Sequence, residues 1–211
     1  PDGNILSFEA LLRWHRADGS FVTPETIIRL AELYGMIGEV SLKVLNQAIA
    51  IVQQFKAMAI NYPVAINLAG SDLLVNTFYN ALIDVATHQP ALLSQLTLEL
   101  TENSIISHKQ PLFDKIHALK KLGFSIALDD FGTGQASLSM LSKLPVDKIK
   151  LDRSFLKEIP HNPVQVRLVQ SVIQLAAALQ LKLVIEGIET DIQRRFLIKL
   201  GCKQMQGYFF A

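Results

Sequence analysis

From Val64 onward the sequence repeats one grammar, a short β-rich apolar run followed by a stretch with helical periodicity, and that alternation constrains the fold more than any other feature. The runs are Val64–Leu68, Leu96–Leu100, Phe124–Leu128, Lys148–Leu151, Lys182–Ile185 and Gln204–Phe209. Between them lie helical stretches at Asp72–Thr87, Gln110–Leu122, Ala136–Lys143, Pro163–Leu179 and Asp191–Leu200, with Gly123 and Gly201 placed as C-terminal stops. Strands joined through helices run parallel, so the pattern predicts a parallel α/β fold. Ahead of this series stand a strand-like Ile5–Leu12 and two helical stretches, Pro24–Leu33 and about Glu39–Ala59, expected to pack as a pair. Asp2-Gly3 is a hairpin-turn signal, and such a turn needs a partner strand before it. Seven strands plus that partner make eight. The expected architecture is therefore a TIM-like (β/α)8 barrel that lacks its first strand in this chain, ahead of an open doubly wound sheet. The length of 211 residues sits at the low end of the roughly 200–250 such a barrel uses. No Pro/Gly/Ser linker divides the chain, so residues 1–211 are read as one domain, a fragment cut at both ends.

Composition removes several function classes. Half the residues are hydrophobic and 18% are charged, enough apolar side chain for a sizeable core and too little charge for a disordered chain. The formal net charge of +1 argues against binding a nucleic-acid polymer through a broadly basic surface. One cysteine, Cys202, excludes an internal disulfide and suits a reducing compartment, where it reads as a small buried residue. Leu168–Ile185 is the most apolar stretch, but Gln170, Gln174, Gln180 and Lys182 interrupt it, so no membrane span is expected there. Nor does the N-terminus resemble a signal peptide. A cytoplasmic domain is the natural expectation.

The acids fall where a barrel builds its site. Glu9, Asn67, Glu99 with Glu102, the pair Asp129-Asp130, and Glu186 with Glu189 all occupy or follow the ends of apolar strands. In a parallel barrel those ends converge on one face. Crowded carboxylates raise one another's pKa unless a cation compensates them. Oxygen donors without cysteine or a placed histidine favour Mg²⁺ or Mn²⁺ over zinc. Adjacent Asp129 and Asp130 suit a two-metal centre of the kind that supports in-line displacement at phosphorus. Taken singly, each acid has a plainer reading as a turn former or helix cap, Asp130 above all. Recurrence at five strand ends, and acids inside apolar strands at Glu9 and Glu99, weigh against it.

Lys150 alternates with Asp152 along Lys148–Leu151 and points toward the same mouth if Ile149 and Leu151 face the helices. It suits either the orientation of an attacking water or a salt bridge to Asp152 or Glu186. Arg13 suits a phosphate or a surface acid. Gly132, Thr133 and Gly134 form a loop beside the acids whose glycines fit no dinucleotide or nucleotide-triphosphate spacing.

Together these motifs resemble the EAL domain family of bacterial cyclic di-GMP phosphodiesterases. Glu9-Ala10-Leu11-Leu12-Arg13-Trp14 is its signature, and Ile66-Asn67-Leu68, Glu99-Leu100-Thr101-Glu102, Asp129-Asp130-Phe131-Gly132-Thr133-Gly134, Lys150-Leu151-Asp152-Arg153-Ser154-Phe155, Glu186-Gly187-Ile188-Glu189-Thr190 and Gln206-Gly207-Tyr208 follow in family order. The resemblance covers essentially the whole chain. It implies a barrel whose first strand is antiparallel and Mg²⁺- or Mn²⁺-dependent hydrolysis of cyclic di-GMP to linear pGpG, a step that lowers a second messenger of biofilm and motility signalling. It further implies that Glu9, Asn67, Glu99 and Asp129 ligate one metal and that Asp129 bridges to a second held by Asp130, with Glu186 binding directly or through water. Lys150 would position the water. Leu11, Arg13, Asp152 and Gln206 would contact substrate or line its site, Glu102 would brace the loop at Gly132, Thr133 and Gly134, and Glu189 would support the Glu186 loop.

A homodimer through the Asp130–Gly134 loop and the following helix is implied as well, as is a longer protein with an upstream sensor or GGDEF domain, tethered in some cases to the inner membrane. Gln135-Ala136 stand where the family usually has Tyr-Ser, and Ala69 replaces a common Ser. The alternative to an active enzyme is a catalytically weak or non-catalytic cyclic di-GMP receptor or protein-interaction module, which Gln135-Ala136 and the missing first strand would favour.

Overall fold

The computed structural model describes residues 3–134 and 138–210. The expectations resting on Asp2 and on Gln135-Ala136 lie outside the described residues. The chain forms two compact units, one of residues 5–99 with 108–125 and one of residues 100–107 with the described residues from 126 on.

The first unit opens with β1 (Phe8–Ala10), shorter than the expected Ile5–Leu12, and with an antiparallel pair, β2 (Trp14–His15) and β3 (Phe21–Val22), that the sequence pattern did not suggest. Its connection turns at Asp18, whose Oδ1 accepts from Ser20 N at 2.8 Å, while Gly19 takes φ +80°. Helix α1 (Pro24–Leu33) starts on Thr23, whose hydroxyl accepts from Thr26 N, with Pro24 in the first turn. Helix α2 (Ile37–Ala57) buries Leu45, Ala48, Ile49 and Val52 at the spacing of one helical face, and it packs against α1 as expected and against β4 (Val64–Leu68). Strand β1 runs parallel to β4 with Glu9 opposite Ala65. The Phe8 ring lies 5.3 Å from that of Phe55 and 5.9 Å from that of Tyr62.

The helix expected over Asp72–Thr87 is two, α3 (Gly70–Leu74) and α4 (Asn76–His88), broken at Val75 with φ −78° and ψ 115°. The cause is tertiary. A Cβ on Gly38 of α2 would lie 2.8 Å from Val75 Cγ1, so Val75 is packed into a notch that only glycine leaves open. The Asp72 carboxylate also turns back to accept from Ala69 N at 2.8 Å, closing α3 as a short capped turn. A 3-10 turn over Pro90–Gln95 leads into β5 (Leu96–Thr101).

Strand β5 and helix α5 (Glu102–Leu122) pass from one unit to the other along the chain. Helix α5 begins eight residues before the expected Gln110, because Thr101 Oγ1 accepts from Ser104 N and caps the earlier start, with Pro111 carried inside the helix.

The second unit continues with β6 (Ser125–Phe131), α6 (Leu138–Leu141), β7 (Lys148–Leu151), α7 (Pro163–Ala178), β8 (Lys182–Ile185), α8 (Asp191–Lys199) and β9 (Gln204–Met205). Its strands pair in the order β6-β7-β8-β9, each parallel to the next. Asn162 and Thr190 cap α7 and α8. Leu151, Leu156, Ile159, Val169, Ile185, Ile188, Leu197 and Cys202 form one buried cluster under these strands. Strand β9 ends early because Gly207 takes φ +153° and Phe210 N donates back to Gly207 O, closing a turn where the sequence suggested strand to Phe209. No helix among the described residues is long and apolar enough to cross a membrane.

Candidate metal centre

In the first unit Glu9 occupies the middle of β1 and Asn67 the fourth position of β4. Asn67 Nδ2 donates to Glu9 Oε1 at 2.6 Å. Glu99 lies within β5 among the buried Leu96, Leu98 and Leu100 and is itself buried, and carboxylate oxygens of Glu9 and Glu99 come within 4.8 Å of each other. Leu11 and Arg13, beyond the end of β1, are both exposed; one Arg13 Nη donates to the Leu12 carbonyl. They remain available to a ligand.

In the second unit the pairing of β6 with β7 shifts register between Leu128 and Phe131, placing Asp129 and Asp130 on a bulge. Asp130 takes φ +53°, a left-handed backbone that Asp tolerates better than most residues, and its amide donates to Asp129 Oδ1 at 2.9 Å. Parallel pairing sets Lys150 of β7 beside Val184 of β8, and Glu186 follows directly after β8. Lys150 Nζ lies 2.8 Å from Glu186 Oε1 and 3.3 Å from Asp129 Oδ2, with Lys150 only 2% exposed. An ammonium so deeply buried is affordable only beside paired carboxylates. Of the two readings the sequence left open for Lys150, the ion pair is present and includes Glu186. Oxygens of Asp129, Asp130 and Glu186 all lie within 4.8 Å of one another.

The surrounding loops are held from below. Glu102, 1% exposed, accepts from Gly132 N through Oε2 at 2.9 Å, and a Cβ on Gly134 would fall 2.7 Å from Glu102 Oε1. Thr133 Oγ1 donates to the Asp130 carbonyl at 2.8 Å. Asp152 caps the 3-10 turn Arg153–Leu156, its Oδ1 accepting from Ser154 N at 2.9 Å. Gln206 has an exposed side chain and a backbone tied on both sides, donating to Ile185 O and accepting from Ile188 N. Glu189 is exposed, and its amide donates to Gln193 Oε1 at the start of α8.

Two residues that the sequence reading left without a role stand against these loops, Arg153 beneath Gly187 and Phe155 beneath Gly132. An aromatic residue in the turn after an apolar strand, facing a glycine next to the acids, was the available signal. It had no meaning until the two loops were placed.

The donors suit a hard divalent cation. Each unit presents carboxylate ligands at least partly withdrawn from water, joined in the first unit by the exposed Asn67, with no thiolate or imidazole among them, which is the chemistry of Mg²⁺ or Mn²⁺ rather than zinc.

Comparison with known proteins agrees with this geometry. A family model of the EAL domain matches residues 1–211. The cyclic di-GMP phosphodiesterase PdeR of Escherichia coli K12 is 34% identical over 209 residues, covering 99% of this chain and 32% of its own. A solved PaMucR phosphodiesterase in complex with c-di-GMP is 30% identical with a TM-score of 0.89, covering 99% of this chain and 85% of that one. A manganese and cyclic di-GMP complex of BlrP1 from Klebsiella pneumoniae is 25% identical with a TM-score of 0.79, covering 96% and 50%. The chain thus spans about a third of the length of the curated relatives it matches. Its fold is the TIM-like α/β barrel class of these structures. With the ordered motifs, the acid-bearing strands and these likenesses pointing the same way, the chain belongs to the EAL domain family.

Proposed function

We propose that residues 1–211 are the EAL-type domain of a longer protein that hydrolyses one phosphodiester of cyclic di-GMP to give linear pGpG. The observation that carries this reading is the buried Lys150 held between Asp129 and Glu186, beside Asp130 on a bulged strand. A purely structural ion pair has no use for a third acid on a left-handed backbone at the same place.

Glu9, Asn67, Glu99, Asp129, Asp130 and Glu186 would supply the oxygen ligands for divalent cations, with Mg²⁺ and Mn²⁺ both suited. When bound, the cations contribute charge neutralisation and polarisation of the phosphoryl group and of water. The chain's own residues do the rest. Lys150 Nζ lies against the oxygens of Asp129 and Glu186, so a water held beside them would meet a fixed donor. Arg13 meets a phosphate oxygen with its forked donors, and Leu11 offers an apolar contact to a base. Gln206 presents its amide from a backbone that cannot swing away. Glu102 and Thr133 hold the loop that carries Asp130. Asp152 contributes through the turn it caps, and Glu189 through the Glu186 loop.

The domain works in the cytoplasm, in a protein with an upstream sensor or GGDEF domain that is in some settings membrane-tethered. It pairs with a second copy through the Asp130–Gly134 loop and α6, a surface that includes residues outside those described. Chromatography of the full-length protein incubated with cyclic di-GMP and Mn²⁺ tests the reaction. A single product, pGpG, is expected; unchanged nucleotide with the protein folded would overturn it.

A further inference from the structure

The turn Arg153–Leu156 follows β7 and carries no metal ligand, yet it touches both loops that carry the acids of the second unit. Gly132 lies two residues past Asp130 and has φ +95°. A Cβ built there would lie 2.5 Å from Phe155 Cζ and 2.7 Å from Cε2, so the edge of the Phe155 ring is pressed against the Gly132 backbone. Gly187 follows Glu186 directly and has φ +73°. A Cβ there would overlap Arg153 Cβ and lie 3.2 Å from Arg153 Cα, so that glycine rests on the first residue of the same turn. The turn itself is pinned at both ends. Asp152 Oδ1 caps it through Ser154 N, and Leu156, 1% exposed, anchors it in the cluster with Ile159, Val169 and Ile188, against which Phe155 also packs.

Two acid-bearing loops resting through glycines on one rigid turn are spaced by that turn. Glycine adopts these left-handed conformations without strain and leaves room for each loop backbone to lie directly against the turn, so the turn sets where each loop rests. We propose that Arg153–Leu156 is a positioning element of the metal centre, with Phe155 fixing the Asp129-Asp130 arm through Gly132 and Arg153 fixing the Glu186 arm through Gly187. The inference rests on the reading of these acids as metal ligands. Neither residue touches a reacting atom. Their effect is on the separation of ligands that do.

The test is direct binding of Mn²⁺, followed by electron paramagnetic resonance, to full-length protein carrying Phe155→Ala, Phe155→Tyr or, as the control, Val169→Ala. Val169→Ala opens a cavity in the same cluster away from the glycines. Removing support from metal ligands typically costs about 10-fold or more in affinity. Phe155→Ala should therefore weaken Mn²⁺ binding about 10-fold. Phe155→Tyr places a hydroxyl on Cζ, the atom nearest Gly132, and should weaken it too, although an ordinary half-buried position would accept Tyr. Val169→Ala should lower the melting temperature with Mn²⁺ affinity unchanged. Equal Mn²⁺ affinity in wild type and both Phe155 variants would overturn the proposal, as would a loss in Val169→Ala matching that in Phe155→Ala. If wild type itself binds no Mn²⁺, the metal reading fails, a result distinct from either.

Discussion

Two carboxylates, one in each unit, are withdrawn from water by different means. Asp129 in the second unit is 8% exposed and faces the Lys150 ammonium. Asp72 in the first unit is 2% exposed; its Oδ2 accepts from Ala69 N, while Oδ1 is buried without a hydrogen-bond partner. Burial pushes the Asp72 carboxyl up to about 6, against the opposing pull of the Ala69 amide. The difference teaches how a buried acid is accommodated. Asp129 has an ammonium beside it, whereas at Asp72 burial outweighs the hydrogen bonds it accepts and its proton is held more tightly than in an ordinary Asp.

The comparison breaks most completely at Lys150. Lys150→Met should leave Asp129 and Glu186 facing each other without the ammonium, lowering stability by about 3–5 kcal/mol in metal-free protein. Turnover should fall by about 10³-fold. Mn²⁺ should then raise the melting temperature of Lys150→Met more than that of wild type, because the cation replaces the lost charge. Thermal melts with and without Mn²⁺, with pGpG assays alongside, read both effects.

Glu9 gives a smaller effect of the opposite kind. It is half-buried and accepts from an exposed Asn67, so Glu9→Gln should change stability by less than about 1 kcal/mol. Turnover should still drop by about 100-fold, because the amide that replaces the carboxylate keeps an oxygen but loses the negative charge a metal ligand supplies. Chemical denaturation beside a steady-state assay separates the two. An equal loss of stability at Glu9 and at Lys150 would erase the distinction between the units.

Asp72 sharpens the comparison through pH. Its folded value, about 6, lies above the 3.8 of an ordinary Asp, so the folded state holds the proton more tightly than the unfolded chain does. The resulting stabilisation is full below pH 3.8 and is lost as pH rises through 6, a swing of roughly 1–3 kcal/mol. Asp72→Asn should flatten the decline in stability between pH 4 and 7, as followed by urea denaturation, with turnover unaffected.

Smallest is Cys202, another buried ionisable group, in the second unit. Burial pushes its thiol up to about 11, with the Gln204 carbonyl nearby. Iodoacetamide at pH 8 should therefore label the folded protein far more slowly than the unfolded chain, with no effect on turnover.

Much of this was legible in the sequence. The alternation from Val64 on marks β4 through β9, and the acids inside or after apolar strands mark Glu9, Glu99, Asp129 and Glu186, because burying a carboxylate in a strand is too costly to be incidental. What stayed hidden depends on contacts between distant residues. Val75 breaks a helix whose periodicity runs through it, because Gly38, far back in the chain, receives its side chain. The helix expected from Gln110 starts two turns earlier, because Thr101 caps it there. Phe155 and Arg153 had no role in the sequence, because the glycines that rest on them, Gly132 and Gly187, lie in other loops. The hairpin at Trp14–Val22 escaped because its strands, two residues each, are too short to show alternation.

The central claim is that these acids serve hydrolysis by holding metal. Its most direct measurement is the rate of pGpG formation by the full-length protein after removal of bound metal with EDTA and stepwise return of Mn²⁺. The account predicts no product from the stripped protein and a rate that rises with Mn²⁺ to saturation, with cyclic di-GMP converted to pGpG. Hydrolysis indifferent to EDTA, or a folded, Mn²⁺-loaded protein that leaves cyclic di-GMP intact, would contradict it.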